Sequence, residues 1–175
     1  MTDTISMPLP GQPAPELKLD LIIGLDWILA DQSPDAFTMI VFYRGLHCPI
    51  CKGYLQGLRE HYDEWLDAGV EVINVSMDGK DKATQAHEDW GLDPIPMGYG
   101  LTEETARAWG LYLSTARAEK EPPLFSEPAM TLVRPDGRVY AHWQQSVPFA
   151  RPRMADLLGA IGFIVENDYP ARGIA

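Results

Sequence analysis

The chain has 175 residues, 46% of them apolar, and a formal net charge of −11. That length suits one domain, 1–175, with a sizeable core, and the negative balance argues against nucleic acid and anionic membrane surfaces as partners. No stretch approaches the roughly 20 apolar residues that cross a bilayer, and residues 1–6 lack the basic start and apolar run of a secretory leader, so a cytoplasmic protein is expected.

In chain order, Pro8 to Pro15 is a proline-rich extended segment that should lie over the core. Residues 17–20 alternate apolar and polar and predict a short edge strand. The apolar run 38–43 predicts a buried strand, and a helix should follow from Cys48 to Ala68, with Gly69 closing it. Its apolar face is read as Ile50, Tyr54, Leu58, Tyr62 and Trp65. Gly53 and Gly57, four residues apart, mark either close packing against a neighbour or room for a substrate or partner backbone. The β-branched run 70–75 predicts the next strand, so strand, helix and strand form a parallel βαβ unit. A second helix is expected over 78–90, then a loop over 93–100 with room for one short strand, then a third helix capped by Thr102. Residues 113–127 read as a long polar loop with a functional or interface role. Two strands over 130–133 and 138–143 flank the turn sequence Arg134-Pro135-Asp136-Gly137 and predict a hairpin. Pro152 should open the last helix at its first turn, with Met154, Leu157, Leu158, Ile161, Ile164 and Val165 as its apolar stripe.

The chain has two cysteines, Cys48 and Cys51, placed where the strand 38–43 ends and the helix begins. A Cys-x-x-Cys in that context is a redox motif. Helix-start amides carry partial positive charge and favour a thiolate, and the spacing brings both sulfurs within disulfide range. No acid lies between Asp35 and Glu60, whereas Arg44, Lys52 and Arg59 do. Such surroundings lower a Cys pKa from about 8.5 to roughly 3.5–7.5. A zinc site, two inert core cysteines and a permanent structural disulfide are the competing readings. Zinc needs about four ligands, and His47, His61, His87 and His142 show no paired ligand spacing. A disulfide closing so short a loop constrains the unfolded chain little.

This succession of elements resembles the thioredoxin-like fold: an α/β architecture with a central mixed sheet flanked by helices. More narrowly it resembles the alkyl hydroperoxide reductase/thiol-specific antioxidant family, the peroxiredoxin-like proteins. The likeness is carried by Gly11-Gln12-Pro13-Ala14-Pro15-Glu16-Leu17, by Val41 to Gly45 leading into Cys48-Pro49-Ile50-Cys51, by Val75 to Asp78, by Ala106 to Leu111, and by Pro128 to Gly137. It implies a thiol-dependent oxidoreductase that reduces peroxides or disulfides, with an external thiol reductant, no bound cofactor or metal, and, by family habit alone, a homodimer. It implies Cys48, Cys51, Arg44 and Pro128 as catalytic residues, with Pro128 where thioredoxin folds place a cis-proline facing the cysteine pair. The chain departs from the family pattern at three places, one of them before the penultimate hairpin, where the family's usual Arg is replaced by the segment Ser126-Glu127-Pro128-Ala129 and Arg44 would supply the cation instead. With Cys51 in the peroxidatic position, the usual Pro seven residues earlier is Arg44 and the usual Thr three residues earlier is Cys48. The peroxiredoxin likeness thus makes Cys51 the attacking sulfur and the thioredoxin likeness makes it Cys48; the helix-start position favours Cys48. A redox-inactive binding module using the 113–127 loop, or a zinc-binding module, is the alternative.

Overall fold

The computed structural model describes residues 7–175; the leader reading of residues 1–6 lies outside them. The run Phe37–Phe42, every residue buried, forms β3 inside a seven-stranded sheet. On one side it pairs in parallel with β4 (Val70–Val75), and on the other antiparallel with β8 (Ala129–Val133). The sheet order is β2-β1-β5-β4-β3-β8-β9, where β1 is Lys18–Leu21, β2 Asp26–Ile28, β5 Met97–Tyr99 and β9 Val139–Gln144. The mixed sheet and the parallel βαβ unit are as the sequence predicts. β1 is not an edge strand: β2 and β5 cover both its sides, because the turn at 22–25 folds the next three residues back onto it.

Alternation along β3 divides the core. Phe37, Met39 and Val41 face one layer with α1 (Pro49–Glu60), α2 (Tyr62–Asp67), α3 (Lys80–Asp89) and α5 (Met154–Glu166). Ile40 and Phe42 face the other layer, with α4 (Glu103–Ala108) and Trp109. Period-two burial on both faces is what a strand sandwiched between helices requires. Thr102 Oγ1 accepts the Thr105 amide at 3.1 Å and caps α4 as expected.

Several readings are corrected. The helix after Cys48 breaks at His61 (φ −106°, ψ 14°) into α1 and α2. Its buried face is Cys51, Leu55, Leu58, Tyr62 and Trp65, while Ile50 is 47% exposed. The 113–127 segment is not a plain loop, since β6 (Leu113–Thr115) pairs antiparallel with β7 (Leu124–Ser126). Pro152 precedes α5 rather than opening it, because Arg153 is the N-cap. In that helix Met154, Leu157 and Ile161 are buried but Val165 is exposed, as it points away from the sheet. The Glu127–Pro128 bond is trans, and among the described residues the cis bond is Asp93–Pro94. Backbone pairing continues on both sides of Pro128: Glu127 N–H donates to Tyr112 O at 2.7 Å, and Pro128 O accepts from Gln145 N at 2.9 Å. Among the described residues no helix is long and apolar enough to cross a membrane.

Candidate active site

β3 ends at Phe42, and a short irregular stretch leads to the cysteines. Gly45, at φ +131°, makes the turn; few side chains tolerate that conformation, and its carbonyl accepts the Cys48 amide at 3.1 Å. Leu46 N–H donates to Asp78 Oδ2 at 2.7 Å, tying the turn to the segment after β4. Cys48 then adopts an extended backbone (φ −103°, ψ 100°) as N-cap of α1, with Pro49 inside the first turn. Its sulfur takes the part that a Ser or Asp oxygen plays at other N-caps: Sγ accepts the Cys51 amide at 3.2 Å. Both cysteines are free and buried, Cys48 at 1% and Cys51 at 0% exposure.

The pair shares its protons unequally. The Cys51 thiol donates to Cys48, the Cys51 amide and the Arg44 guanidinium add to that, and together they outweigh burial and hold Cys48 down at about 6. Burial pushes Cys51 up, and the bond it gives to Cys48 pushes it further, against the pull of Arg151. The surroundings thus favour the thiolate on Cys48 and the thiol on Cys51, and the two titrate as a coupled pair.

Arg44 is fixed from three sides. Its Nε lies 3.1 Å from Glu127 Oε2, its Nη2 3.5 Å from Glu121 Oε1, and its guanidinium stacks 4.7 Å from the Phe125 ring. Glu127 is buried and also accepts from Ser114 Oγ at 2.8 Å. The acid-free window around the cysteines is thus acid-free in sequence only, because Asp78, Glu121 and Glu127 fold into it. Of its three cations, Arg44 alone reaches the pair. Arg59 sits eight residues beyond Cys51, about 12 Å along the axis, and donates through Nε to the Asp93 carbonyl. Burial, then Arg44, lower the pKa of His47, whose ring meets the Phe125 edge at 4.8 Å.

Sequence reasoning missed Arg151. Its Nη2 donates to Cys51 Sγ at 3.0 Å, its Nε to Pro148 O at 2.8 Å, and its guanidinium lies 4.6 Å from the Tyr54 ring. One hundred residues separate it from Cys51, and no local spacing announces it. Pro128 stands apart from the sulfurs' hydrogen bonds; it borders a small cavity with Phe42, Tyr54, Trp143, Arg151 and Pro152. A Cβ at Gly53 or Gly57 would meet nothing within 4 Å, and both line an open groove, which argues against the close-packing reading. Among the described residues no group of three or more His, Cys, Asp or Glu side chains converges to hold a metal ion, so the zinc-module alternative has no ligand set there.

Residues 10–142 match the AhpC/TSA family. The chain belongs to that family. No curated protein matches the chain. Solved structures repeat the fold. Reduced Prx3 from Vibrio vulnificus in complex with H2O2 superposes with a TM-score of 0.76 at 18% identity, covering 89% of this chain and 99% of that one. AhpC from Enterococcus faecalis gives 0.73 at 19% identity over 93% and 97%. The peroxidoxin BcpB from Mycobacterium tuberculosis gives 0.73 at 16% identity over 91% and 99%. This AhpC/TSA protein is accordingly a peroxiredoxin-like thiol enzyme on a thioredoxin-like fold.

Proposed function

We propose that this protein is a dithiol peroxidase in which Cys48 attacks the peroxide and Cys51 resolves the product. The observation that carries the reading is the placing of the pair: buried Cys48 Sγ caps α1 by accepting the Cys51 amide at 3.2 Å, while Arg151 holds Cys51 Sγ at 3.0 Å, surroundings that favour a thiolate on Cys48. A buried thiolate admits a small oxidant and excludes a protein disulfide, which favours a peroxide over a protein substrate. The Cys48 thiolate attacks one peroxide oxygen, the O–O bond breaks, and Cys48 becomes a sulfenic acid as hydroxide leaves and is protonated. The Cys51 sulfur, deprotonated as it attacks, displaces the sulfenic oxygen as water, and a Cys48–Cys51 disulfide forms. Two thiols and one hydrogen peroxide thus yield one disulfide and two waters. Arg44 supports the attacking thiolate, and Arg151 supports Cys51 as it loses its proton. Pro128 walls the small cavity that Arg151 also lines, and so acts on the pair through the placing of Arg151. Re-reduction needs an external thiol, so the protein suits a reducing compartment such as the cytoplasm.

The test is stoichiometric oxidation. One equivalent of hydrogen peroxide should remove both titratable thiols, dithiothreitol should restore both, and mass spectrometry should find the Cys48–Cys51 bridge. Two thiols persisting after peroxide, and also after diamide, would end the dithiol reading.

A further inference from the structure

A carboxylate near a thiolate opposes it, yet the β6–β7 hairpin ends on a buried one. Glu127 follows β7, precedes Pro128 and is 5% exposed. Its amide donates to Tyr112 O at 2.7 Å, which closes the base of the hairpin. Its Oε1 accepts from Ser114 Oγ, on β6, at 2.8 Å. Its Oε2 lies 3.1 Å from Arg44 Nε. Both of these last atoms are closed to solvent, and neither has a hydrogen bond elsewhere among the described residues, so each is the other's counterpart.

Arg44 stands between this carboxylate and the sulfur. The bond from the Cys48 amide to Gly45 O turns the chain back, so residue 44 comes beside Cys48 and its guanidinium donates to that sulfur. The other contacts of the guanidinium are looser. Nη2 is 3.5 Å from Glu121 Oε1, which the hairpin tip carries, and the Phe125 ring lies 4.7 Å away. A ring face attracts a cation without fixing its heading. The ion pair with Glu127 fixes it. For stability alone, a buried ion pair is often no better than apolar side chains of the same volume. Its effect here is on where the cation points.

We propose that Glu127 is a positioning residue: anchored by Ser114, it holds the Arg44 guanidinium against Cys48 and thereby sets the reactivity of that sulfur. The proposal rests on the dithiol reading for what the sulfur does, and it assigns control of that sulfur to the β6–β7 hairpin. Glu127 has two effects of opposite sign. As a charge it disfavours the thiolate; as an anchor it places the cation that favours it. The guanidinium touches the sulfur, whereas Glu127 touches only the guanidinium, so the anchor outweighs the charge. Other charged or titratable groups surround this loop: His47 within it, Asp78 after β4, Lys82 on α3, Cys51 on α1, Arg151 before α5 and Glu121 at the hairpin tip. None of them bonds Glu127, and their contribution is common to the variants below.

The test is the alkylation rate of Cys48 against pH, in the full chain carrying Cys51→Ser. Glu127→Ala should raise the midpoint by about half a unit or more. Glu127→Gln keeps an oxygen for Arg44 and offers an NH2 group to Ser114 Oγ. It also removes the opposing charge, so its midpoint should stay or fall. Added to Arg44→Met, Glu127→Ala should raise the midpoint no further. Ser114→Ala removes the anchor and leaves the charge; it should shift the midpoint upward too, and it replaces Glu127→Ala if that variant does not fold. A midpoint unmoved or lowered by the variant used would overturn the proposal. So would equal rises in Glu127→Ala and Glu127→Gln, or a further rise with Arg44 absent. A wild-type protein that forms no disulfide with peroxide is a separate result: it removes the dithiol reading, while the midpoints still decide the placing of Arg44.

Discussion

The Leu46 amide and the Asp78 carboxylate meet at 2.7 Å, and Gly45 lies beneath that bond with no side chain to obstruct it. A Cβ at Gly45 would stand 2.7 Å from Asp78 Oδ2, and its φ of +131° is strained for any L side chain. Gly45→Ala should therefore lose about 2–3 kcal/mol of stability from backbone strain and the clash together. Urea unfolding at pH 7 measures it, and a loss below about 0.5 kcal/mol would show that the turn relaxes freely.

Arg44→Met should raise the reactivity midpoint of Cys48. The cation favours the charged sulfur, so its removal moves the pKa up from about 6. A shift of one unit, about 1.4 kcal/mol, would lower the thiolate fraction at pH 7 from about nine-tenths to about half. The rate of iodoacetamide alkylation against pH reads this, in a Cys51→Ser background to isolate one sulfur. An unmoved midpoint would make Arg44 purely a partner of Glu127.

Which sulfur attacks is decided by the two serine variants. With peroxide and a sulfenic-acid trap, Cys51→Ser should accumulate adduct on Cys48, while Cys48→Ser should barely react. The opposite pattern assigns attack to Cys51, with Arg151 as its cation and the hydroxyl introduced by Cys48→Ser in place of the family's Thr.

His142 supplies a pH dependence of stability. Burial holds it down to about 4, and its Nδ1 lies 2.8 Å from Thr131 Oγ1. The folded state binds its proton less readily than the unfolded state, where the pKa is about 6.5. Its contribution is therefore intact above pH 6.5 and lost as pH falls toward 4, amounting to up to about 3 kcal/mol. His142→Gln should flatten the drop in unfolding free energy between pH 7 and pH 4.5 relative to wild type. Parallel curves for the two proteins would contradict the assignment.

The strand–helix–strand unit around the cysteines was legible because its signals are local: a buried run at 37–42, a Cys N-cap with proline in the first turn, and a β-branched run at 70–75. Thr102 was legible for the same reason. The interior position of β1 was not, since strand neighbours are chosen by tertiary pairing. β6 and β7, at three residues each, are too short to show a period. Arg151 reaches Cys51 only through the packing of the segment before α5 against α1, and Glu121 and Glu127 reach Arg44 only because the β6–β7 hairpin folds over it. The local half of the site was readable, and the electrostatic half, assembled from distant residues, was not.

That Cys48 caps α1 with its own sulfur ties the start of the helix to the electrons on that sulfur. A thiolate is a charged acceptor for the Cys51 amide, whereas a disulfide sulfur is a poor one. In the proposed cycle each turnover thus removes and restores a cap, a contribution of about 1 kcal/mol to the first turn. The oxidised protein should fray at residues 49–52 and the reduced protein should not. Deuterium uptake at the Cys51 amide then becomes a clock of the catalytic cycle, readable without a substrate, an inhibitor or a label.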